Sequence, residues 1–300
     1  MTLSATLRLV LVMILWAGCF PIITLGLDMA PHITFATMRA VLAGLCLILI
    51  GTILRRPLPS GKHTWFLISV IGFGATGLGF LGMFHAAEYV SPGIATVIAN
   101  SQPLLTVILA YFFLNEGLGP FSIAGIVLGF VGIIVIASPG LSGGFTQQYA
   151  LGIAYIALAA LGVAIGNVAI KQLPQHVDGV MAMGFQLLIG SLPLAALSLS
   201  TEAPRAMIWT GEFVIVLVTL STLGTSVAFW LWFSVLREVA LSRAVAFTFL
   251  VPVFGLIIGR TLFDERPGWI EITGAILILT GILAVQFAGM LRERARAGPG

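Results

Sequence analysis

The sequence predicts an all-α integral membrane protein of ten transmembrane helices arranged as two inverted five-helix repeats. Three observations carry that prediction: the composition, ten apolar stretches of membrane-spanning length, and a second half that repeats the first. Hydrophobic residues make up 59% and charged residues 8% of the 300, against about 45–50% and about 25% in soluble globular chains. A span needs about 20 apolar residues at about 1.5 Å rise each. The stretches lie at 9–27, 33–54, 65–87, 93–114 and 121–138, then at 151–170, 180–199, 213–236, 244–263 and 269–291.

The repeat shows when the halves are laid side by side. Phe80 falls on Phe229, Phe84 on Phe233, Val90 on Val239, Ala95 on Ala244, Pro103 on Pro252, Gly125 on Gly274 and Gly132 on Gly281. With a slightly shorter offset Arg39 falls on Gln186. Shared Leu and Ala follow from composition alone, so the weight rests on the mid-span prolines and on Asn115-Glu116 matching Asp264-Glu265. The repeats are expected over 1–140 and 149–291, followed by a basic cytoplasmic tail over 292–300.

The first stretch resembles a lipoprotein signal at Ala17-Gly18-Cys19, but Trp16 stands where that site wants Leu and apolar sequence continues to Leu27. It reads as an uncleaved helix. Cys19 and Cys46 both lie inside spans and read as small hydrophobes, not as a disulfide framework.

With the N-terminus in the cytoplasm, that side holds Arg8, Arg55, Arg56, Lys62, Lys171, Arg237, Arg243, Arg292, Arg294 and Arg296. The opposite side holds only Arg205, Arg260 and Arg266. The positive-inside rule therefore places both termini in the cytoplasm. The net charge of +3 reflects this bias, with no nucleic-acid partner implied, and the tail reads as a lipid-headgroup contact.

An odd number of spans per repeat makes the second repeat start on the opposite side and sit upside down. Asn115-Glu116 then falls in a cytoplasmic loop and Asp264-Glu265 in an external one. Inverted repeats recur in secondary transporters, with substrate near the midplane and access alternating as one half rocks on the other.

The segments Trp16-Ala17-Gly18-x-Phe20 and Arg39, together with Pro103 to Asn115-Glu116 and Pro252 to Asp264-Glu265, resemble the drug/metabolite transporter superfamily in its EamA-type branch. The resemblance covers essentially the whole chain and is closest to bacterial exporters of amino acids, particularly aromatic ones. It implies efflux of a small-molecule substrate across the bacterial inner membrane by a multi-pass protein. It also implies a central cavity lined by helices 1, 3, 4, 6, 8 and 9. Export of other metabolites or drugs stays open, as does a channel or a membrane-embedded enzyme. A monomer suffices for this architecture, and a dimer stays open.

Polar residues within the spans are few. Asn100, Ser101 and Gln102 precede Pro103, and burying them dry is costly. Asn100, Gln102, Asn167 and Gln186 are read either as cavity groups or as helix-to-helix hydrogen bonds. Arg39 lies well inside the second span, where a charge faces protein or water. It either pairs with Asp28 or Glu88 or grips a substrate carboxylate. His85, at the outer end of helix 3, is the histidine nearest a cavity. No carboxylate lies deep in a span, so proton coupling through a buried acid has no support.

Trp16, Phe20, Phe80, Phe84, Tyr155, Trp230 and Trp232 fall in helices that the resemblance places around the cavity, where they either stack on substrate or pack. Small residues in helix 3, at Gly72, Gly74, Gly77, Gly79 and Gly82, and in helix 5, at Gly125, Gly129 and Gly132, permit close helix contact. Pro103 and Pro252 are the candidate gates, since they recur in both repeats.

Enzymatic readings find little. Gly224-Thr225-Ser226 has no histidine in a second span to activate Ser226. No Cys/His cluster suggests a metal, no glycine-rich phosphate loop suggests a nucleotide, and no cofactor is expected.

Overall fold

The computed structural model describes residues 1–85, 99–117, 119–138, 147–202, 207–262 and 268–297. Ten helical rods follow one another among them. α1 is Leu3–Leu27 and α2 is His32–Ile53. α3 runs without a break through Lys62–Ile71, a π-wound Gly72–Leu78 and Gly79–His85. α4 is Gln102–Leu114, α5 is Pro120–Ala137, α6 is Gln147–Gln172 and α7 is Gly179–Thr201. α8 joins Gly211–Ser221, a second π-wound stretch Thr222–Val227 and Ala228–Leu236. α9 joins Leu241–Val245, a 3-10 turn Ala246–Phe249 and Leu250–Leu262, and α10 is Trp269–Ala297.

Seven of the rods, α1, α2, α3, α6, α7, α8 and α9, are long and apolar enough to cross a membrane. α4, α5 and the Ile272–Ala288 part of α10 are shorter apolar helices. The side chains behave as they do in a lipid-facing bundle: Leu49, Ile53, Phe112, Leu192, Ile215 and Leu283 are exposed around the perimeter, while Phe35, Met183, Leu187 and Val245 are fully enclosed. Within a bilayer such a perimeter is solvated by acyl chains, and backbone polarity is satisfied inside each helix.

The packing obeys the repeat. α2 packs chiefly on its equivalent α7, and α5 on its equivalent α10. The α3–α6 contact is mirrored by α8–α1, and α4–α6 by α9–α1. Nearly every large contact therefore joins one half to the other.

Glycine positions show the relative direction of the halves. A Cβ on Gly125 would lie 2.5 Å from the Gly281 carbonyl oxygen, and one on Gly132 would lie 2.6 Å from that of Gly274. The reverse approaches hold too, at 2.4 Å from Gly281 to Gly125 and 2.6 Å from Gly274 to Gly132. As the residue number rises along α5, its partner's number falls along α10, so these equivalent helices are antiparallel. The same is true of α2 and α7, where Gly44 meets Gly184 and Leu188 while Gly51 meets Met181 and Val180. Equivalent helices that run antiparallel make the second repeat an inverted copy of the first. The small residues are there because only their absent side chains let the backbones meet.

Three local features depart from the sequence expectations. Pro103 is not a mid-helix kink. Asn100 and Ser101 form a turn and the helix starts at Gln102, so Pro103 sits in its first turn, where a missing N–H costs nothing. Pro252 likewise follows the 3-10 turn Ala246–Phe249. In both repeats the change in winding comes a few residues before the proline. α10 also continues through Ala297, so the region expected to be a tail is helical to that residue.

Candidate functional site

The π-wound stretches of α3 and α8 stand at equivalent places in the two repeats, and each carries a buried threonine. Thr225, in α8, receives the Arg39 Nε–H at 2.8 Å. Thr76, in α3, donates to Gln186 Oε1 at 2.8 Å. Thr76 and Thr225 are repeat equivalents, as are Gln186 and Arg39. Each of the two bonds crosses from one half to the other. π-turns commonly mark functional places in helices, and here each presents a hydroxyl toward the opposite half.

Arg39 is 2% exposed. Its Nη2 lies 3.5 Å from Cys19 Sγ, and its guanidinium carbon stands 4.6 Å above the centre of the Phe80 ring. Neither Asp28 nor any other described carboxylate pairs with it, and Glu88 lies outside the described residues. Of the readings left open for Arg39, the pair with Asp28 is not formed, and the guanidinium instead meets a threonine, a thiol and an aromatic ring. Ser226 donates to the Ala43 and Ser221 carbonyls at 2.9 and 3.0 Å, so Gly224-Thr225-Ser226 is a crossing point of α8 on α2.

Beside this crossing lies an aromatic cluster. Trp16 packs 5.4 Å from Trp232 and 6.3 Å from Phe229, centre to centre. Trp232 Nε1 donates to Asn167 Oδ1 at 2.8 Å, tying α8 to α6. Cys19 is close to one turn beyond Trp16, and Phe229 is one turn beyond Thr225. Arg39, Phe80, Cys19, Thr225, Phe229, Trp16, Trp232 and Asn167 therefore make one continuous interior region, built from α1, α2, α3, α6 and α8.

The structure distributes the remaining candidates unevenly. Phe84 joins the region through Phe80, 6.3 Å away centre to centre, and continues it to Phe35 at 5.8 Å, which in turn lies 5.6 Å from Phe213. Trp230 is 42% exposed and stands away from the cluster, and Trp232 occupies the interior place. Gln102 is buried, and its amide donates to Thr106 within its own helix. Asn100 and Tyr155 are half-buried. Phe20 and His85 lie in described helix, but their side chains fall outside what is described, as does the whole of Asp264-Glu265. A surface groove of about 400 Å³, lined by Phe66, Phe73, Gly74, Leu78, Gly162 and Ile165 among others, opens between α3 and α6 and touches none of the site candidates.

Carboxylates act at the ends of the bundle. Asn115 closes α4 in the left-handed conformation, with φ of 52°, which asparagine tolerates better than most residues. That turn aims Glu116 at the start of α9, where it accepts from the Leu241 and Ser242 N–H groups at 2.6 and 3.0 Å. At the other end Glu202 accepts from the Ile33 and Thr34 N–H groups at 2.8 and 2.7 Å and from the Thr34 hydroxyl at 2.7 Å. Neither α2 nor α9 has a capping side chain of its own. Each takes a carboxylate from the opposite repeat, whose charge suits the positive end of the helix dipole. Sequence reasoning missed both roles.

Further ties close the end that carries the N-terminus. Arg8 meets Glu238 at 2.6 Å and Ser234 at 2.9 Å. Lys171 donates to the Leu236 and Val239 carbonyls, and Arg237 to those of Leu173 and Pro174. Burial lowers the Arg237 guanidinium below its ordinary value, from a level so high that it stays charged at physiological pH.

Glu202→Ala is expected to lower stability by about 2–3 kcal/mol, since it strands two N–H groups and a hydroxyl that now bond a charged acceptor. Thermal unfolding in detergent, compared with the exposed control Glu212→Ala, checks this.

A family model described as the EamA-like transporter family matches residues 3–138 and again 150–287. The chain belongs to the EamA-like transporter family. The two matches each take in five helices, in keeping with the duplication read from the contacts. It is a transporter and not an enzyme. A WAT1-related chloroplastic protein of Arabidopsis thaliana is 31% identical over 84% of this chain, which spans 62% of that relative's length. An uncharacterized transporter of Bacillus subtilis is 26% identical over 97% of this chain and 94% of its own. A protein of Escherichia coli described as a probable amino-acid metabolite efflux pump is 27% identical over 96% of both chains. One solved crystal structure superposes with a TM-score of 0.80 over 98% of this chain and 99% of that one, at 22% identity, which speaks for the fold.

Proposed function

We propose that this protein exports amino acids with aromatic or apolar side chains across the bacterial inner membrane by alternating access, with both termini in the cytoplasm. The observation that carries the reading is the interior region where Trp16, Phe229 and Trp232 meet Arg39, Thr225 and Asn167 at the crossing of the two inverted halves. Rings and a guanidinium side by side suit a ligand with an apolar body and a charged head. The similarity to a probable amino-acid metabolite efflux pump supports the same substrate class.

The mechanism follows from symmetry. Contacts fall mostly between the halves, so rocking one against the other exchanges one set for its mirror set. Going from one access state to the other breaks ties such as Glu116 with α9 at one end or Glu202 with α2 at the other. The π-wound stretches and the turns before Pro103 and Pro252 are where the helices can change winding at low cost. Pro103 and Pro252 remain the proposed gates. The substrate site is proposed around Trp16, Phe80, Asn167 and Trp232, with Asn100, Gln102, Tyr155 and Gln186 at the adjoining helices.

Purified protein in liposomes is expected to exchange labelled phenylalanine, tryptophan or methionine with saturation. No exchange across a broad metabolite panel would remove the substrate assignment, and fast non-saturating ion flux would favour a channel.

A further inference from the structure

The interior of this protein holds one deep charge among its described residues, and that charge is incompletely matched. Arg39 spends Nε on Thr225 and Nη2 on Cys19, while Nη1 has no hydrogen-bond acceptor. The guanidinium carbon stands 4.6 Å over the centre of the Phe80 ring. What is left is the Nη1 end, and the N–H fork of a guanidinium matches the two oxygens of a carboxylate. A buried cation without a counter-ion is costly in a membrane interior. A free N–H on such a group is a donor that an acceptor on a ligand completes.

The repeat equivalent makes the point sharper. Gln186 holds the same position in the other half, bonds the equivalent threonine, and likewise has its Nε2 without an acceptor. The two halves thus share a structural pairing, threonine with the long polar residue opposite. They differ in charge. Pairing with threonine needs only an amide, as Gln186 shows, so pairing does not account for an arginine at position 39.

We propose that Arg39 is the residue that receives the carboxylate of the transported amino acid, with Nη1 as the donor that the ligand completes, and that it selects for substrates carrying that group. This rests on the amino-acid reading above and adds to it a residue and a recognised functional group. Trp16 packs on Phe229 and Trp232, which follow Thr225 by four and seven residues and so lie on the same side of α8, about one and two turns along it. In the conformation described here Arg39 is 2% exposed, so the carboxylate reaches it when the halves part.

The test compares phenylalanine with phenylalaninamide, which has the same ring and ammonium and no carboxylate, in liposomes holding the wild-type protein, Arg39→Gln or Arg39→Lys. Arg39→Gln reproduces the Gln186 arrangement and keeps a partner for Thr225, so it is expected to fold. The wild type should favour phenylalanine in apparent affinity by roughly tenfold to a hundredfold. Arg39→Gln should lose that preference while moving the amide by no more than about threefold, and Arg39→Lys should fall between, having charge without the fork.

An unchanged preference in both variants, an equal loss for both compounds, or a preference that follows chloride in the buffer instead of residue 39, overturns the assignment. If the wild type carries neither compound nor any other amino acid, the functional reading itself fails and the assignment goes with it. If it carries amino acids and amides equally, only the role of Arg39 fails.

Discussion

Gly281→Leu is expected to abolish the folded transporter, whereas Gly255→Leu leaves it intact. A Cβ at Gly281 meets the Gly125 carbonyl oxygen at 2.4 Å and the Gly129 nitrogen at 2.8 Å, and both are backbone atoms that no rotamer change can move aside. At Gly255 nothing lies within 4 Å. Leucine at the crossing forces α5 and α10 apart, at a cost of about 3 kcal/mol or more once the surrounding contacts are lost. Because the crossing is reciprocal, Gly125→Leu should do equal damage. Yield of monodisperse protein after heating in detergent measures both. Equal behaviour of Gly281→Leu and Gly255→Leu would show that α5 and α10 do not meet as described.

Trp232 should be the most sensitive aromatic in the chain. Its side chain is 2% exposed, packs on Trp16 and holds Asn167 through Nε1. Trp232→Ala removes the ring and opens a cavity where α1, α6 and α8 converge, for about 3–5 kcal/mol. Trp232→Phe keeps most of the apolar volume but strands the buried Asn167 oxygen, for about 1–3 kcal/mol. Asn167→Ala strands the indole N–H in turn. In a double-mutant cycle Trp232→Phe and Asn167→Ala are expected to couple by about 1 kcal/mol or more, since the second change has no bond left to break. Trp230→Ala, on the exposed side of the same helix, is expected to change stability little. Additive effects at Trp232 and Asn167 would mean that the indole and the amide do not act as a pair.

The frame of this fold was legible in the sequence because its causes are local and repeated. A bilayer demands long apolar stretches, and an odd number per repeat turns the second copy over. Gly125, Gly132, Gly274 and Gly281 were visible as a pattern of small residues, and the structure gives them their partners. Trp16 and Asn167 were visible as a motif residue and a rare polar residue.

The rest depends on rotation about helix axes and on contacts between the halves, which one sequence does not record. Trp230 and Trp232 are two residues apart and so face different sides of α8, and nothing local says which side is inside. Thr76 passed unnoticed, and Thr225 was weighed only as a neighbour of Ser226, because a threonine in an apolar helix ordinarily bonds its own backbone. The Glu116 and Glu202 carboxylates sit in or next to loops, and the helix ends they cap lie far away in the chain. The glycine-rich run of α3 announced close approach, but its π-winding was not foreseen.

Counterflow tests the central claim most directly: liposomes containing the purified protein and loaded with unlabelled phenylalanine are placed in a trace of labelled phenylalanine. A carrier that alternates between two mirror-related states by rocking inverted halves predicts transient, saturable accumulation of label inside, above its external level. Label that only equilibrates, at a rate indifferent to the phenylalanine inside and linear in concentration, would contradict it.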